Sequence, residues 1–141
     1  MSGDSSTYTF FDSNVLIYAD DASSPSKQHR ALYLIKEHLQ TGTGTVSLQV
    51  LQEYFVAATK KYHLDAAVAR NRTRIYGTFR LIEPVLADVL SAIDLHRLNH
   101  ISYWDALIVH SANQSGCSVL LSEDMQHGQV VDGVRIVNPF I

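Results

Sequence analysis

The sequence is poor in the features that mark secreted, membrane and fibrous proteins. Its single cysteine, Cys117, cannot form a disulfide within the chain, and this usage fits the reducing cytoplasm, where we expect the protein to reside. No apolar run is long enough to cross a bilayer, so we expect no membrane attachment. The opening residues, MSGDSSTYTFFDSN, lack the basic and apolar regions of a signal peptide. Internal repeats and low-complexity segments are also missing from the sequence.

The composition is that of an ordinary globular protein. The chain has 141 residues, of which 46% are hydrophobic and 18% are charged. A chain of this length can bury a sizeable core, so we expect a single domain over residues 1–141.

The charges are unevenly distributed along the chain, whose formal net charge is −3. Residues 60–80 carry six basic residues against one acid, and both flanking parts of the chain are acidic. This pattern could place a phosphate-binding strip beside a cation-binding pocket, although a charged helix face can also be merely solvated.

Predicted strands alternate with predicted helices. The strand-like runs lie at 8–11, 45–47, 118–121 and 133–140, with a weaker extended segment at 78–84. Helical periodicity and capping signals predict helices at about 25–41, 48–62, 65–77, 85–100 and 103–115. This order predicts an α/β sandwich with a central, mainly parallel sheet flanked by helices. Ligands bind to such sheets beyond the carboxyl ends of the strands.

Acidic residues follow two of the predicted strands directly. Asp12 comes after the first strand, and Glu123 and Asp124 come after the strand at 118–121. Each can be a turn residue, which is common after a strand. Because parallel strands end at the same edge of a sheet, however, these carboxylates are expected to converge there.

Two further acids are less clear from the pattern alone. Asp105 lies three residues after Ser102 and could complete a capping box at the start of a helix. Glu53 falls on the polar side of its predicted helix, so the periodicity predicts a solvated surface residue. A carboxylate in the first turn of a helix can nevertheless point toward the edge of the sheet.

The chemistry of clustered carboxylates indicates a divalent cation. Two carboxylates about 4 Å apart repel by roughly 4 kcal/mol at an effective dielectric constant near 20, so a cluster of four requires protonation or a bound cation. An all-oxygen site suits Mg²⁺ or Mn²⁺, and neither a cysteine pair nor an HExxH sequence is present to favour zinc. Such sites activate water in phosphodiester hydrolysis.

The motifs resemble those of PIN-domain proteins, and in particular of VapC-like ribonuclease toxins from toxin–antitoxin pairs. The matching stretches are FFDSNVLIYA, LQEYF, ISYWDALIVHSANQSGCSVLLSEDMQHG and GVRIVNPF. They run from residue 10 to residue 140 and so cover nearly the whole chain.

The resemblance implies a set of site residues, a cofactor and partners. It implies four catalytic acids, of which three bind Mg²⁺ or Mn²⁺, together with two supporting polar residues. The acids are Asp12, Glu53, Asp105 and Asp124, the metal ligands among them are Asp12, Asp105 and Asp124, and the supporting residues are Asn14 and Ser122. The implied function is endoribonuclease cleavage of RNA by a toxin that has a cognate antitoxin and forms a homodimer. For this function, the candidates for binding the RNA backbone are the basic residues Lys60, Lys61, Arg70, Arg72 and Arg74. Glu123 is an additional acid that we expect to lie on the surface.

Other functions are compatible with parts of the sequence. A strand that ends in Asp also begins the motif of haloacid-dehalogenase-like phosphatases, but Asn14 and Leu16 depart from that motif. A catalytically silent PIN-like module that binds a protein is another alternative. His110 and His127 are close in sequence to the acids, and we expect them to be structural or peripheral.

Overall fold

The computed structural model describes residues 7–141. The first residues of the predicted domain, and of the segment that lacks signal-peptide features, lie outside the described range. The helices are α1 (Ser13–Tyr18), α2 (Pro25–Thr41), α3 (Leu48–Lys60), α4 (Ala66–Tyr76), α5 (Leu86–Asn99) and α6 (Tyr103–Gln114). The strands are β1 (Tyr8–Phe11), β2 (Gly44–Ser47), β3 (Arg80–Ile82), β4 (Cys117–Leu121), β5 (Val130–Val131) and β6 (Val134–Val137).

The strands form one sheet in the order β3-β2-β1-β4-β6-β5. Neighbouring strands are parallel from β3 through to β6, and only β5 pairs in the antiparallel direction. Helices pack against this sheet and one another, with α1 on α3, α3 on α4 and α5 on α6. The predicted α/β class with a mainly parallel central sheet flanked by helices is therefore confirmed.

Two short elements are missing from the sequence-based prediction. Helix α1 begins directly after Asp12, whose side chain accepts a hydrogen bond from the Ser13 N–H at 2.7 Å. Its middle residues are all buried, so the run shows no amphipathic period. Strand β5 forms a tight hairpin with β6 through Asp132 and Gly133, both at positive φ, as a type I′ turn requires.

The central strands supply much of the core. Phe10 and Phe11 of β1 and Leu120 of β4 are fully or almost fully buried, as are Val15 and Leu16 of the following helix. Full burial of one such side chain contributes about 1.5–3 kcal/mol. Within residues 7–141, no helix combines the length and apolar character that a membrane span needs.

A buried polar contact connects three helical segments near the end of α1. The Tyr54 hydroxyl of α3 donates a hydrogen bond to Asp20 Oδ2 at 2.6 Å. Arg72 of α4 forms an ion pair with the same carboxylate, whose side chain is only 2% exposed. The Asp20 charge is therefore held in the interior by one cation and one hydroxyl.

Replacement of Tyr54 with Phe is expected to lower the free energy of unfolding by about 1.5–3 kcal/mol, the usual contribution of a hydrogen bond to a charged group. The substitution keeps the ring but removes one of the two partners of the Asp20 charge. Urea unfolding at pH 7 measures the difference. Tyr33→Phe is the matched control, because the Tyr33 hydroxyl bonds Glu37 on an exposed face of α2. Equal losses in the two variants would contradict the expectation.

Candidate functional site

The pairing of β1 with β4 brings two site residues to one edge of the sheet. Phe11 pairs with Leu121 in parallel register, so Asp12 and Ser122 leave the sheet side by side. The Asp12 N–H donates to the Leu121 carbonyl oxygen at 3.0 Å, which extends this ladder by one bond. The predicted convergence of carboxylates at the carboxyl ends of these strands thus has a direct backbone cause.

The Ser122 hydroxyl lies at the centre of the polar network. It is fully buried and donates to Asp12 Oδ2 at 2.8 Å. It also accepts bonds from the Asp124 N–H at 3.2 Å and from Asn14 Nδ2 at 3.3 Å. Asn14 Nδ2 reaches Asp124 Oδ2 at 3.3 Å as well, while its carbonyl oxygen accepts the Glu123 N–H at 2.9 Å. One hydroxyl and one amide therefore orient both carboxylates.

Glu53 belongs to the same cluster, and the prediction of a solvated residue from its helical position was wrong. It is half-buried, with Oε1 accepting from the Ser13 hydroxyl at 3.2 Å and Oε2 from Gln49 Nε2 at 3.1 Å. The error has a physical reason. The face of α3 that bears Glu53 meets α1 and the polar edge of the sheet, so a polar residue there is enclosed by protein.

Gln49 and Ser13 are site residues that the sequence reasoning missed. Gln49 is 9% exposed, and its Nε2 donates to both Glu53 and the Trp104 carbonyl oxygen, the latter at 3.3 Å. It therefore connects α3 to the first turn of α6. The available signal was its position four residues before Glu53, which places both side chains on one helix face.

Asp105 lies in the first turn of α6, beside this cluster. Its N–H donates to the Ser102 hydroxyl at 3.0 Å, as an N-cap requires. In the part of the chain that the structure describes, the return bond from the Ser102 N–H that would complete a capping box is not formed. Burial raises the pKa of the Asp105 carboxyl, and the charge of Asp124 raises it further.

The pKa of Asp12 is shifted further from its ordinary value than that of any other acid in the cluster. It is 4% exposed. Burial raises the pKa of its carboxyl to about 6, although hydrogen bonds from Ser122 and Ser13 oppose the shift. The charges of Glu53 and Asp124 add to it. Among residues 7–141, no basic side chain forms an ion pair with any of the four acids of the cluster.

The donor set fits a hard divalent cation. It consists of carboxylate oxygens whose charges are uncompensated, and a cation beside Asp12 would relieve the raised pKa. Within residues 7–141, no three His, Cys, Asp or Glu side chains stand close enough to form a direct ligand shell as they are positioned. The predicted ligands Asp12, Asp105 and Asp124 therefore lie at the same edge of the sheet, but their carboxylates are too far apart to contact one cation together. Mg²⁺ commonly binds through one or two carboxylates and retains several waters, so this spacing is compatible with it.

Glu123 is partly exposed and is a partner of basic and aromatic residues, a role that the expectation of a surface acid did not include. Its carboxylate pairs with Lys27 Nζ at 2.6 Å and accepts the Tyr18 hydroxyl bond at 2.6 Å. These contacts hold it half-buried and lower its pKa despite burial. Glu123 therefore differs from Asp124 in having its charge compensated within the fold.

The predicted RNA-binding residues have different surroundings. Lys61 lines a cleft of about 270 Å³ together with Asp124 and Glu123. Arg72 is paired with Asp20, and Arg74 donates to Asn71 Oδ1 at 2.9 Å. The remaining two, which are exposed, are Lys60 and Arg70.

The two histidines make contacts of their own. His110 is buried, and its Nε2 lies 2.9 Å from Asp88 Oδ1 near the start of α5. His127 Nδ1 accepts the Asn138 N–H at 2.9 Å. The first contact joins α6 to α5, and the second joins the loop before β5 to the residue that follows β6.

Comparison with known families gives one match. The family model of the PIN domain matches residues 9–132. A search of curated proteins finds no match.

Solved structures show similar folds. A toxin–antitoxin complex from Klebsiella pneumoniae is 25% identical, with a TM-score of 0.64, over 93% of this chain and 97% of that chain. The Mycobacterium tuberculosis toxin VapC20, described as cleaving the sarcin–ricin loop, is 18% identical, with a TM-score of 0.60, over 82% and 91% of the two chains. PAE2754 from Pyrobaculum aerophilum is 20% identical, with a TM-score of 0.55, over 97% and 88%. At 18% and 20% identity, the last two likenesses concern the fold alone.

Replacement of Asp12 with Asn is expected to stabilise the protein by about 1–3 kcal/mol at pH 7.5 in the absence of divalent cations. The folded state binds the Asp12 proton more tightly than the unfolded state, because the pKa rises from 3.8 to about 6 on folding. Stability is therefore lost as the pH rises through this interval, and the whole penalty applies above it. Asn carries no charge and removes the penalty.

Urea unfolding in EDTA at pH 7.5 and near pH 4 measures this effect. The gain should shrink toward zero at the lower pH, which lies well below the folded-state pKa and close to the unfolded-state pKa of 3.8, so that most of the penalty is gone. Asp94→Asn is the matched control, because Asp94 is an exposed acid on α5 whose side chain is 70% exposed. A gain of equal size at both pH values would refute the desolvation argument.

Proposed function

Because the chain belongs to the PIN-domain family, we propose that it is a Mg²⁺- or Mn²⁺-dependent endoribonuclease and the toxin of a toxin–antitoxin pair. The observation that carries the proposal is a cluster of uncompensated carboxylates at the carboxyl ends of β1 and β4, where the pKa of Asp12 reaches about 6. Further support comes from the fold similarity to the toxin–antitoxin complex and to VapC20.

Asp12, Asp105 and Asp124 are the proposed metal ligands. When bound, Mg²⁺ or Mn²⁺ would lower the pKa of water and stabilise the charge that develops on the phosphodiester oxygens. A ring of carboxylates repels a phosphodiester by itself. A bound cation would offset this repulsion at the cleaved phosphodiester as well as serve the reaction.

The remaining residues orient these carboxylates. The Ser122 hydroxyl and the Asn14 amide hold Asp12 and Asp124, which limits the positions that these carboxylates can take when a cation binds. Glu53 is held at both oxygens by Ser13 and Gln49, which suits the alignment of an attacking water. Because these side chains are already ordered in the folded protein, the energetic cost of ordering them does not arise during the reaction.

The alternatives have less support. Membership of the PIN-domain family leaves no basis for the haloacid-dehalogenase reading. A silent protein-binding module would gain nothing from a buried, self-repelling acid such as Asp12. Calorimetry that finds no binding of Mn²⁺ would favour such a module. A cytoplasmic location stays a prediction.

Asp12→Asn and Asp124→Asn are each expected to reduce Mn²⁺-dependent cleavage of RNA by at least about 100-fold, because loss of a ligand should exceed the 10–100-fold effect of losing a residue that only supports one. The rate of cleavage of total RNA by the purified variants measures the loss. Thermal unfolding of the same samples shows that they remain folded.

Asp132→Asn is the matched control for charge removal, since Asp132 lies in the exposed β5–β6 turn and Asn tolerates its positive φ. This variant should cleave RNA at the wild-type rate. Expression in a bacterial host should arrest growth for the wild type and the control, and not for the two site variants. Full cleavage activity in both site variants would reject the proposed function.

The proposal includes two protein partners, a cognate antitoxin and a second copy of the chain. Self-association is supported by an exposed apolar face on α5. Leu86, Leu90 and Ile93 recur at helical spacing and are all exposed, although the pattern alone would place them in a core. Ala92 on another face of α5 is fully buried and packs against α6 residues. The apolar face is therefore available for a second chain.

Leu86→Asp combined with Leu90→Asp is expected to convert a homodimer to a monomer, because two carboxylates would be buried in the apolar interface. Light scattering coupled to gel filtration measures the mass, which should fall by half. Leu32→Asp on α2 is the control at a comparably exposed leucine outside this face. A wild-type protein that is already monomeric at tens of micromolar would exclude the homodimer.

A further inference from the structure

A cleft beside the acidic cluster has two chemically different ends. At one end lie Ser13, Asn14 and Asp124, which belong to the site described above. At the other end lie Tyr18, Lys61 and Tyr62, at the ends of α1 and α3, together with Glu123, whose charge is paired with Lys27. The volume of about 270 Å³ suits a single flat group and excludes a folded helix of RNA.

Lys61 provides a free positive charge at the far end of this cleft. Among residues 7–141, no carboxylate forms an ion pair with it, although Asp21 is near enough for the Lys61 charge to lower its pKa. The nearby cation Lys27, by contrast, is neutralised by Glu123. Lys61 is therefore the cation of the cleft that remains available to an anion.

Tyr62 adds an aromatic surface next to that charge. Lys61 Nζ lies 5.6 Å from the centre of the Tyr62 ring, so one ligand can contact both. Ile17 and Ala57 make the adjoining wall apolar. Proteins bind single-stranded RNA with this combination, in which a cation contacts the phosphate and an aromatic ring stacks on the base.

We propose that this cleft is a subsite for the nucleotide next to the cleaved bond, with Lys61 binding its phosphate and Tyr62 stacking on its base. The inference rests on the proposed ribonuclease function, because it takes the acidic end as the place of cleavage. It assigns to Lys61 a role that the other predicted RNA-binding residues do not share. It also adds Tyr62, which the charge pattern could not identify.

The test compares Lys61→Gln with Lys36→Gln. Both lysines are exposed and carry the same charge, but Lys36 lies on α2 and does not line the cleft. Binding of a fluorescein-labelled, random-sequence 12-nucleotide RNA is measured by anisotropy in EDTA, where no cleavage occurs. Lys61→Gln should weaken binding about tenfold and reduce the slope of log K against log salt by about 0.7, the value for one phosphate contact on a single strand. Lys36→Gln should change neither quantity by a comparable amount.

Tyr62 is tested with a pair of variants that separates stacking from packing. Tyr62→Leu should weaken binding of the same RNA about tenfold, whereas Tyr62→Phe, which keeps the ring, should bind like the wild type. Thermal unfolding of both variants checks that the fold persists. Loss of binding in Tyr62→Phe equal to that in Tyr62→Leu would overturn the stacking role.

Cleavage assays then separate this inference from the proposed function. For Lys61→Gln with total RNA and Mn²⁺, the KM should rise while kcat is retained, because Lys61 contacts a phosphate outside the reacting bond. A wild type that cleaves RNA while Lys61→Gln matches Lys36→Gln in binding and KM would overturn the subsite alone, and the cleft would then be better explained as a site for a protein partner. A wild type that does not cleave RNA would overturn the proposed function, and the subsite with it.

Discussion

The parallel pairing of β1 with β4 is the constraint on which the site depends. It sets Phe11 opposite Leu121, and so places Asp12 beside Ser122, 110 positions away in sequence. A register shift of one residue would turn these side chains to the opposite face of the sheet. The hydrogen bond between the Ser122 hydroxyl and Asp12 can form only in the observed register. Buried aromatic and aliphatic residues of both strands maintain it, so core packing and site geometry have a common origin.

The buried charge of Asp12 lowers the stability of the fold, but it also belongs to the proposed cation site. A carboxylate at 4% exposure is unfavourable by itself, and its raised pKa expresses that cost. Ser122 and Ser13 offset part of it through hydrogen bonds, while Glu53 and Asp124 add to it. A bound divalent cation would attract each of these carboxylates and so offset their mutual repulsion. The arrangement is thus poor as a structural core and well suited to holding a cation.

The basic residues show that composition alone does not identify an RNA-binding surface. The charge pattern singled out five of them between positions 60 and 74, yet the fold gives these side chains different tasks. Arg72 balances the buried charge of Asp20, and Arg74 bonds Asn71 on its own helix. Lys61 stands at the cleft that leads to the acids. The same reasoning separates Glu123, which is neutralised by Lys27, from the neighbouring Asp124.

The sequence by itself determined the α/β class, most of the helices and strands, and the convergence of Asp12 with Asp124. These properties follow from local signals, namely hydrophobic periodicity, capping residues and acids at strand ends. Glu53 required the resemblance to a family, because its helical position alone indicated solvent. Only the tertiary structure decided that Gln49 and Ser13 hold Glu53, that Glu123 pairs with Lys27, and that the apolar face of α5 stays exposed. Each of these properties depends on which surface of an element a second element covers. Contacts between segments that are distant in the chain leave no periodic pattern in the sequence.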